Sequence, residues 1–299
     1  MTSAPLPASA RVVQSFGDHG WAVAEPVKEC DESQPVRIQY QRKLGRCLAG
    51  DRVELGSQNE VKRILQRRNR FGRGTKSGQY QAIAANLDSL IIVIAPRPAP
   101  SISLLHRYLT AARIERIEPV IVVNKMDLEW PDQAPFNQLD QLGVPVHRVQ
   151  CEPVPDMDVL QPVLNHGVHL LAGQSGVGKS SISNALLPDL DLQTQALSDA
   201  TGKGRHTTSA ATLYSLSKGG WLVDTPGVWE YGLWTMPAKT LERGFPEFEP
   251  YSTQCRFRDC SHQHEPGCAV LDAVERGEIK PFRYQAWLGL LAEQARLGR

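Results

Sequence analysis

The sequence predicts a multidomain protein: an N-terminal β-barrel, a central α/β unit built on a parallel sheet, and a mostly helical C-terminal unit. Three observations predict it. Short strand patterns crowd residues 10–75. Continuous apolar runs alternating with helical spacing follow. Three cysteines and a histidine then gather near the C-terminus. The expected boundaries are 1–80, 81–232 and 233–299.

In the first unit, strand patterns cover Arg11–Phe16, Gly20–Ala24, Pro35–Tyr40 and Asp51–Leu55. Turn residues such as Gly17-Asp18 and Ala49-Gly50-Asp51 separate them. Several short strands in so little chain suggest a small barrel. An OB-fold fits, and such barrels commonly bind single-stranded nucleic acid or RNA. An SH3-like barrel fits the pattern equally. Lys62, Arg63, Arg67, Arg68, Arg70, Arg73 and Lys76 follow with no acid among them. They read as a contact for RNA phosphates, with a solvated basic loop as the plainer alternative.

The second unit opens with Leu90-Ile91-Ile92-Val93-Ile94-Ala95, a run expected of a strand buried on both faces. Ile102, Leu105, Leu109 and Ala112 then recur at helical spacing. Val120–Val123 runs into Asn124-Lys125-Met126-Asp127. Val168–Leu171 runs into a glycine-rich segment, Gly173-Gln174-Ser175-Gly176-Val177-Gly178-Lys179-Ser180. Trp221–Val223 runs into Asp224-Thr225-Pro226-Gly227. Strands alternating with helices imply a parallel, doubly wound sheet. Its ligands bind at the carboxyl ends of strands, where each of these motifs falls.

The glycine-rich segment fits G-x-x-x-x-G-K-[ST]. Its glycines let backbone N–H groups close round phosphates, and Lys179 reaches the β- and γ-phosphates. The Ser180 hydroxyl suits Mg²⁺, and Ser181 begins the helix whose N-terminus favours the anion. Asn124-Lys125-Met126-Asp127 has the form of a guanine-reading motif. Asp127 can accept from guanine N1–H and N2–H₂, a donor pair that adenine lacks. Asn124 would tie neighbouring loops together, and the Lys125 stem could cover the ring. Asp224 suits a Walker-B role toward Mg²⁺, and the Gly227 N–H suits the γ-phosphate. Gly204-Arg205-His206-Thr207-Thr208 offers a hydroxyl to complete the Mg²⁺ shell, from Thr208 or Thr207. Val228 stands where many GTPases carry a water-orienting glutamine, so intrinsic hydrolysis should be slow. His206 is the nearby candidate for that work, as a catalytic group or as an ordinary loop residue. No arginine finger is evident, although Arg205 is close.

These motifs occur in rotated order. An ordinary GTPase begins with the phosphate loop and closes with the guanine motif. Here the guanine motif precedes the phosphate loop. The same site in rotated order means a circularly permuted P-loop GTPase core, with GTP as substrate and Mg²⁺ beside it.

Cys255, Cys260, His262 and Cys268 form C-x₄-C-x-H-x₅-C. Four soft ligands so close together suit one closed structural Zn²⁺ site, with His264 as a rival to His262. Cys30, Cys47 and Cys151 are scattered and read as ordinary packed thiols. The rest of the composition is that of a soluble globular protein. In 299 residues, 41% are hydrophobic and 22% charged, with a formal net charge of +1. No secretory signal or membrane-length apolar run is present, so a cytoplasmic location, no membrane partner and a monomer are expected.

The chain resembles the circularly permuted, ribosome small-subunit-dependent GTPases, the RsgA/YjeQ family. The likeness rests on Asn86-Leu87-Asp88, the four nucleotide motifs and the tail Cys255–Cys268, with the reading Cys-Arg-Phe-Arg-Asp-Cys-Ser-His-Gln-His-Glu-Pro-Gly-Cys. It implies an N-terminal OB-fold, a permuted GTPase core and a C-terminal zinc domain. It implies late maturation of the small ribosomal subunit, with hydrolysis stimulated by that subunit, and a place for His206 in the catalytic loop. It makes a hydrophobic residue such as Val228 normal. One departure is visible: Gln150-Cys151-Glu152 stands where a Ser-Ala-like loop usually contacts guanine O6.

The reading is therefore a GTPase whose nucleotide state controls docking on the small subunit and its rRNA. The alternative is a regulatory switch acting on a non-ribosomal protein. A third is a nucleic-acid-binding module whose GTP site is only structural.

Overall fold

The computed structural model describes residues 9–25, 35–129, 131–132, 134–152, 154–187, 211–225 and 231–298. Its first five strands are β1 (Ser9–Phe16), β2 (His19–Ala24), β3 (Val36–Gln39), β4 (Arg52–Leu55) and β5 (Val61–Ile64). β1 pairs antiparallel with β2 and β4, β2 with β3, and β4 with β5. A parallel bridge from Gln39 to Glu60 brings the end of β3 to the start of β5 and closes the ring. Ala10, Val12, Ala22, Ile38, Val53 and Val61 fill it as an apolar cluster of its own. Alternation supplies these inward residues, because successive strand side chains face opposite sides. Sequence patterning located β1 to β4; β5 lay hidden in the basic stretch.

A hairpin, β6 (Arg70–Gly74) with β7 (Tyr80–Ala85), leads out of the barrel. Asn86-Leu87-Asp88 then acts as a junction. Asn86 donates to the Gly50 carbonyl and accepts from the Arg68 N–H, and Asp88 accepts from the Val168 N–H. The barrel, the hairpin and the next sheet are thereby fastened at one corner.

The central sheet contains β8 (Ser89–Ile94), β9 (Glu118–Val123), β10 (Val146–Arg148), β11 (Val168–Gly173), β12 (Thr212–Ser215) and β13 (Trp221–Asp224). Its order is β10-β9-β8-β11-β13-β12, continued into β1 of the barrel. The first five strands run parallel. β8 and β11 are buried along their whole length, which explains their unbroken apolar runs. The expected all-parallel sheet is in fact mixed: β12 lies antiparallel to β13. Helix α1 (Ile102–Ile114) covers one face, capped by the Ser101 hydroxyl accepting from the Leu104 N–H. The short α2 (Gln161–Leu164) precedes β11, and α3 (Lys179–Leu186) follows it.

The C-terminal part adds α4 (Ala238–Glu242), α5 (Glu249–Ser252), α6 (Ala269–Glu275) and α7 (Pro281–Leu297). It packs on α1. Buried Arg283 on α7 pairs with Glu247 and donates to His106 Nδ1 at 2.8 Å. Burial, reinforced by the Arg283 charge, pushes the His106 pKa down to about 3, so this ring is the neutral acceptor. Phe71, Tyr231 and Tyr108 stack in turn, and the Tyr231 hydroxyl donates to the Gly72 carbonyl at 2.9 Å. This stack joins the hairpin, the segment after β13 and α1. Among the described residues no helix is long and apolar enough to cross a membrane.

Asp51 is fully buried and gripped by both arms of Arg67 at 2.7 Å. Arg67→Met leaves that carboxylate unpaired inside the barrel, at about 3–5 kcal/mol. The denaturant midpoint of a barrel-located probe should fall accordingly. An unchanged midpoint would show that the pair is dispensable.

Candidate nucleotide and metal sites

Both candidate nucleotide loops and the acid-bearing strand end lie on one edge of the central sheet. β11 ends at Gly173 and α3 begins at Lys179, so the glycine-rich segment is a strand-to-helix turn. Gly173, Gly176 and Gly178 take φ of 141°, 78° and 95°. A Cβ at Gly173 would sit 2.3 Å from the Val93 carbonyl oxygen, and one at Gly178 would sit 2.1 Å from Asn124 Nδ2. Glycine is required at both places by backbone conformation and by space. The Lys179 ammonium donates to the Gly173 and Gln174 carbonyls at 2.8 and 2.7 Å, across the mouth of its own loop. Burial lowers its pKa, and the charge of Asp224 opposes that shift. Gln174 Oε1 accepts from the Ser101 N–H, which ties the turn to the start of α1. Ser175 and Ser180 are exposed, Ser181 half-buried and Val177 fully buried.

β9 delivers Asn124 and Lys125 beside this turn. Asn124 is buried and donates from Nδ2 to the Val177 carbonyl at 3.0 Å. Lys125, at φ 63°, donates from Nζ to the Gly176 carbonyl at 2.7 Å and to the Arg97 carbonyl at 2.9 Å. The lysine expected to lie over a ring thus also clamps two loops. Met126 packs on the core, while the Asp127 carboxylate is exposed. The Cys151 thiol contacts the Asn124 side chain; burial raises its pKa and that contact opposes the rise. This puts Cys151 of the Gln150-Cys151-Glu152 loop against the guanine-type motif. Cys47, by contrast, is a buried core thiol whose pKa burial pushes up to about 12.

Asp224 closes β13 with its carboxylate open at the tip. Desolvation raises its pKa, against a hydrogen bond from the Thr225 backbone and the Lys179 charge. A neighbouring cation would favour the ionised form. His206, Thr207, Thr208 and Gly227, with Arg205, Val228 and Cys30, lie outside the described residues.

The second site is a side-chain cluster. The ligand atoms of Cys255, Cys260, His262 and Cys268 all lie within 4.8 Å of one another. His262 Nδ1 is 3.6 Å from Cys255 Sγ and 3.4 Å from Cys268 Sγ, and the two sulfurs are 4.0 Å apart. A tetrahedron with Zn–S near 2.3 Å and Zn–N near 2.0 Å has edges of roughly 3.5–3.8 Å, so the donor set fits Zn²⁺. His262 is buried and His264 exposed, which favours the former as ligand.

Sequence reasoning missed what surrounds this cluster. Glu242 Oε2 lies 3.4 Å from His262 Nε2, so the ring can donate there while Nδ1 faces the sulfurs. Burial works against the ionised Glu242, but hydrogen bonds from His262 and Lys239 prevail and hold its pKa at about 2. Tyr284 and Trp287 donate to the His262 and Ser261 carbonyls. Glu265 accepts from the N–H groups of Ser261, Gln263 and His264, which knots the loop. The one available signal was Glu242 in a short helix upstream, too distant in sequence to be assigned.

The basic stretch is less free than its composition suggests. Arg63 pairs with Glu54, Arg67 with Asp51 and Arg68 with Asp88. The Arg70 guanidinium lies 5.4 Å from the Tyr80 ring centroid. Much of this charge serves the barrel and its junctions.

The sheet, the glycine turn at its edge and the rotated motif order define a circularly permuted P-loop GTPase. Comparison with known proteins narrows the class. The model of the RsgA GTPase family matches residues 64–234. A small ribosomal subunit biogenesis GTPase RsgA of Gemmatimonas aurantiaca is 38% identical, over 94% of this chain and 96% of its own. One from Pseudomonas aeruginosa is 40% identical, over 88% and 80%. Among solved structures, YjeQ from Thermotoga maritima superposes with TM-score 0.75 at 28% identity, covering 98% of this chain and 99% of its own. YloQ, a circularly permuted GTPase, gives 0.71 at 26% identity, covering 96% and 95%. The chain belongs to the RsgA GTPase family and is a GTP hydrolase.

Glu242→Ala should weaken Zn²⁺ retention by about 10–100-fold. A competition titration with a chromogenic chelator reads this directly. Retention equal to wild type would make Glu242 a bystander to the cluster.

Proposed function

We propose that the chain hydrolyses GTP on the small ribosomal subunit and assists its late maturation, with hydrolysis stimulated by that subunit. The observation that carries this is the pair of loops clamped by Asn124 and Lys125, in a chain whose relatives are named for small-subunit biogenesis. The names of these relatives favour this over a switch acting on a non-ribosomal protein. The proposed units are 1–80, 81–232 and 233–299. The ring order β1-β2-β3-β5-β4 supports an OB-fold for the first, and its separate apolar cluster supports its independence. The proposed partner is rRNA, the molecule a monomer in the cytoplasm.

In the proposed site the glycine turn, from Gly173 to Ser181, holds the phosphates through its backbone and Lys179. Ser180, Asp224 and Thr208 hold Mg²⁺, which would neutralise charge building on the β- and γ-oxygens. Thr207 is the alternative to Thr208 on Mg²⁺, and the Gly227 N–H meets the γ-phosphate. Lys179 spends two of its three donors on the Gly173 and Gln174 carbonyls, which leaves one for a phosphate oxygen. Asp127 reads guanine, with Met126 backing the loop on the core. Zn²⁺ on Cys255, Cys260, His262 and Cys268 is structural, since four protein ligands leave no open position. His206 orients the attacking water or its loop.

Turnover with and without purified small subunits tests the proposal: no stimulation refutes it. Asp127→Asn should cost at least ~2 kcal/mol of GTP affinity and gain xanthosine triphosphate binding, because one acceptor becomes a donor. Calorimetry finding unchanged GTP affinity would remove Asp127 from base reading. His206→Ala should leave GTP and GDP affinities near wild type while stimulated turnover falls by roughly 10²-fold. Stimulated turnover within a factor of about two of wild type would make His206 an ordinary loop residue.

A further inference from the structure

The barrel and the GTPase sheet touch through one strand pairing that the activity has not yet explained. β1 carries a bulge between Val12 and Gln14. Bulges re-aim side chains, and here the next residue, Gln14, faces away from the barrel's own partners. Gln14 is the single β1 residue in register with β12, opposite Thr212. Its Nε2 donates to Thr212 Oγ1 at 2.9 Å, and the two residues are only 5% and 2% exposed. Thr212 is in turn in register with Asp224 on β13. The Gln14, Thr212 and Asp224 positions therefore form one row across three strands. The row starts in the barrel and ends at the acid proposed to hold Mg²⁺.

A second link runs beside the first. Tyr214 shares the Thr212 face of β12, its hydroxyl engages Thr212, and the Asp224 charge acts on it. Thr212 thus meets Gln14 on one side and the Tyr214 hydroxyl on the other. Nothing about barrel stability requires a buried amide here. An apolar side chain would cover β12 as well, without the desolvation cost of the amide. The bond instead adds a directional side-chain contact to the backbone pairing of β1 with β12.

We propose that Gln14 is a positioning residue for GTP hydrolysis: through Thr212 it sets β12 against β13, and so makes the Asp224 carboxylate answer to what the barrel is bound to. This rests on the small-subunit reading above. The barrel is the part proposed to meet RNA, and the row leads from it to the site. A shift of β1 that carries the row by more than about 0.5 Å is enough to disturb a metal-holding carboxylate, since such groups need placement within that distance.

The test compares wild type, Gln14→Met, Thr212→Val and Thr212→Ser, with and without purified small subunits. Met keeps the length of Gln and Val keeps the shape of Thr, while each removes the bond. Ser keeps the hydroxyl. Thermal unfolding and GTP affinity are measured on each preparation. Gln14→Met and Thr212→Val should retain basal turnover, GTP affinity and co-sedimentation with subunits. Their stimulated kcat should drop at least about 5-fold, the double variant should be no worse than either single one, and Thr212→Ser should stay near wild type. Stimulation within a factor of two of wild type in Gln14→Met would overturn the inference. So would basal and stimulated turnover falling together, or additive losses in the double variant. A wild-type protein that small subunits do not stimulate would instead refute the function proposed above, so the two failures are distinguishable.

Discussion

The hydrogen bond from Asn124 to the Val177 carbonyl is the constraint on which the proposed site depends. It joins the end of β9 to the middle of the glycine turn after β11. The gap it spans closes only because Gly178 has no side chain: a Cβ there would collide with the same amide. Lys125 repeats the clamp one residue away on the Gly176 carbonyl. Phosphate loop and base loop are thus one rigid object. A permuted chain needs this as much as an ordinary one, because the contact is spatial and indifferent to which loop is made first. Permutation moves the chain ends and leaves the strand order, and hence the edge where ligands bind, as it was.

What permutation changes is the traffic into and out of the core. The barrel leads through the hairpin and Asn86-Leu87-Asp88 into β8, a central strand of the sheet. The segment after β13 leaves past the hairpin through the Phe71–Tyr231–Tyr108 stack. Close approach explains how tightly that exit is held. The Gly74 N–H donates to the Gly232 carbonyl, and a Cβ on Gly74 would meet the Leu233 oxygen at 2.4 Å. The Tyr231 hydroxyl satisfies the buried Gly72 carbonyl, a group costly to leave unpaired. The β12 edge of the sheet and the chain beyond β13 are consequently both held on the barrel side of the molecule, one through Gln14 and the other through the hairpin.

The fold was largely legible because its signals are local. β8, β9, β11 and β13 are short apolar runs that end in glycine or polar motifs, and burial on both faces leaves no alternation to confuse them. The nucleotide motifs were legible for the same reason: backbone conformation dictates Gly173 and Gly178, whatever surrounds them. β5 was not, since Lys62 and Arg63 face solvent and only Val61 and Ile64 turn inward. The antiparallel course of β12 was not either, because Thr212, Leu213 and Tyr214 are all buried and carry no period. A continuous run says that a strand is covered, and nothing about which way it travels.

The same distinction governs charge. Seven basic residues without an acid among them read as a patch for a polyanion, since a sequence window shows charges but not their distant partners. Asp51 precedes Arg67 by two strands and the turn between them, Asp88 follows Arg68 by a hairpin, and Glu54 faces Arg63 across a ladder. Each acid lies outside the window yet within hydrogen-bond reach in the fold. Arg67 neutralises a wholly buried carboxylate, so its charge is spent internally and adds little to the outer field. Glu242 illustrates the converse. Twenty residues from His262, it gave no motif, yet it sits where a ligating imidazole needs its second nitrogen held. Ligands that must share one ion can be read from spacing, because the ion forces them together. The groups that orient those ligands can come from anywhere the packing allows, and only the fold reveals them.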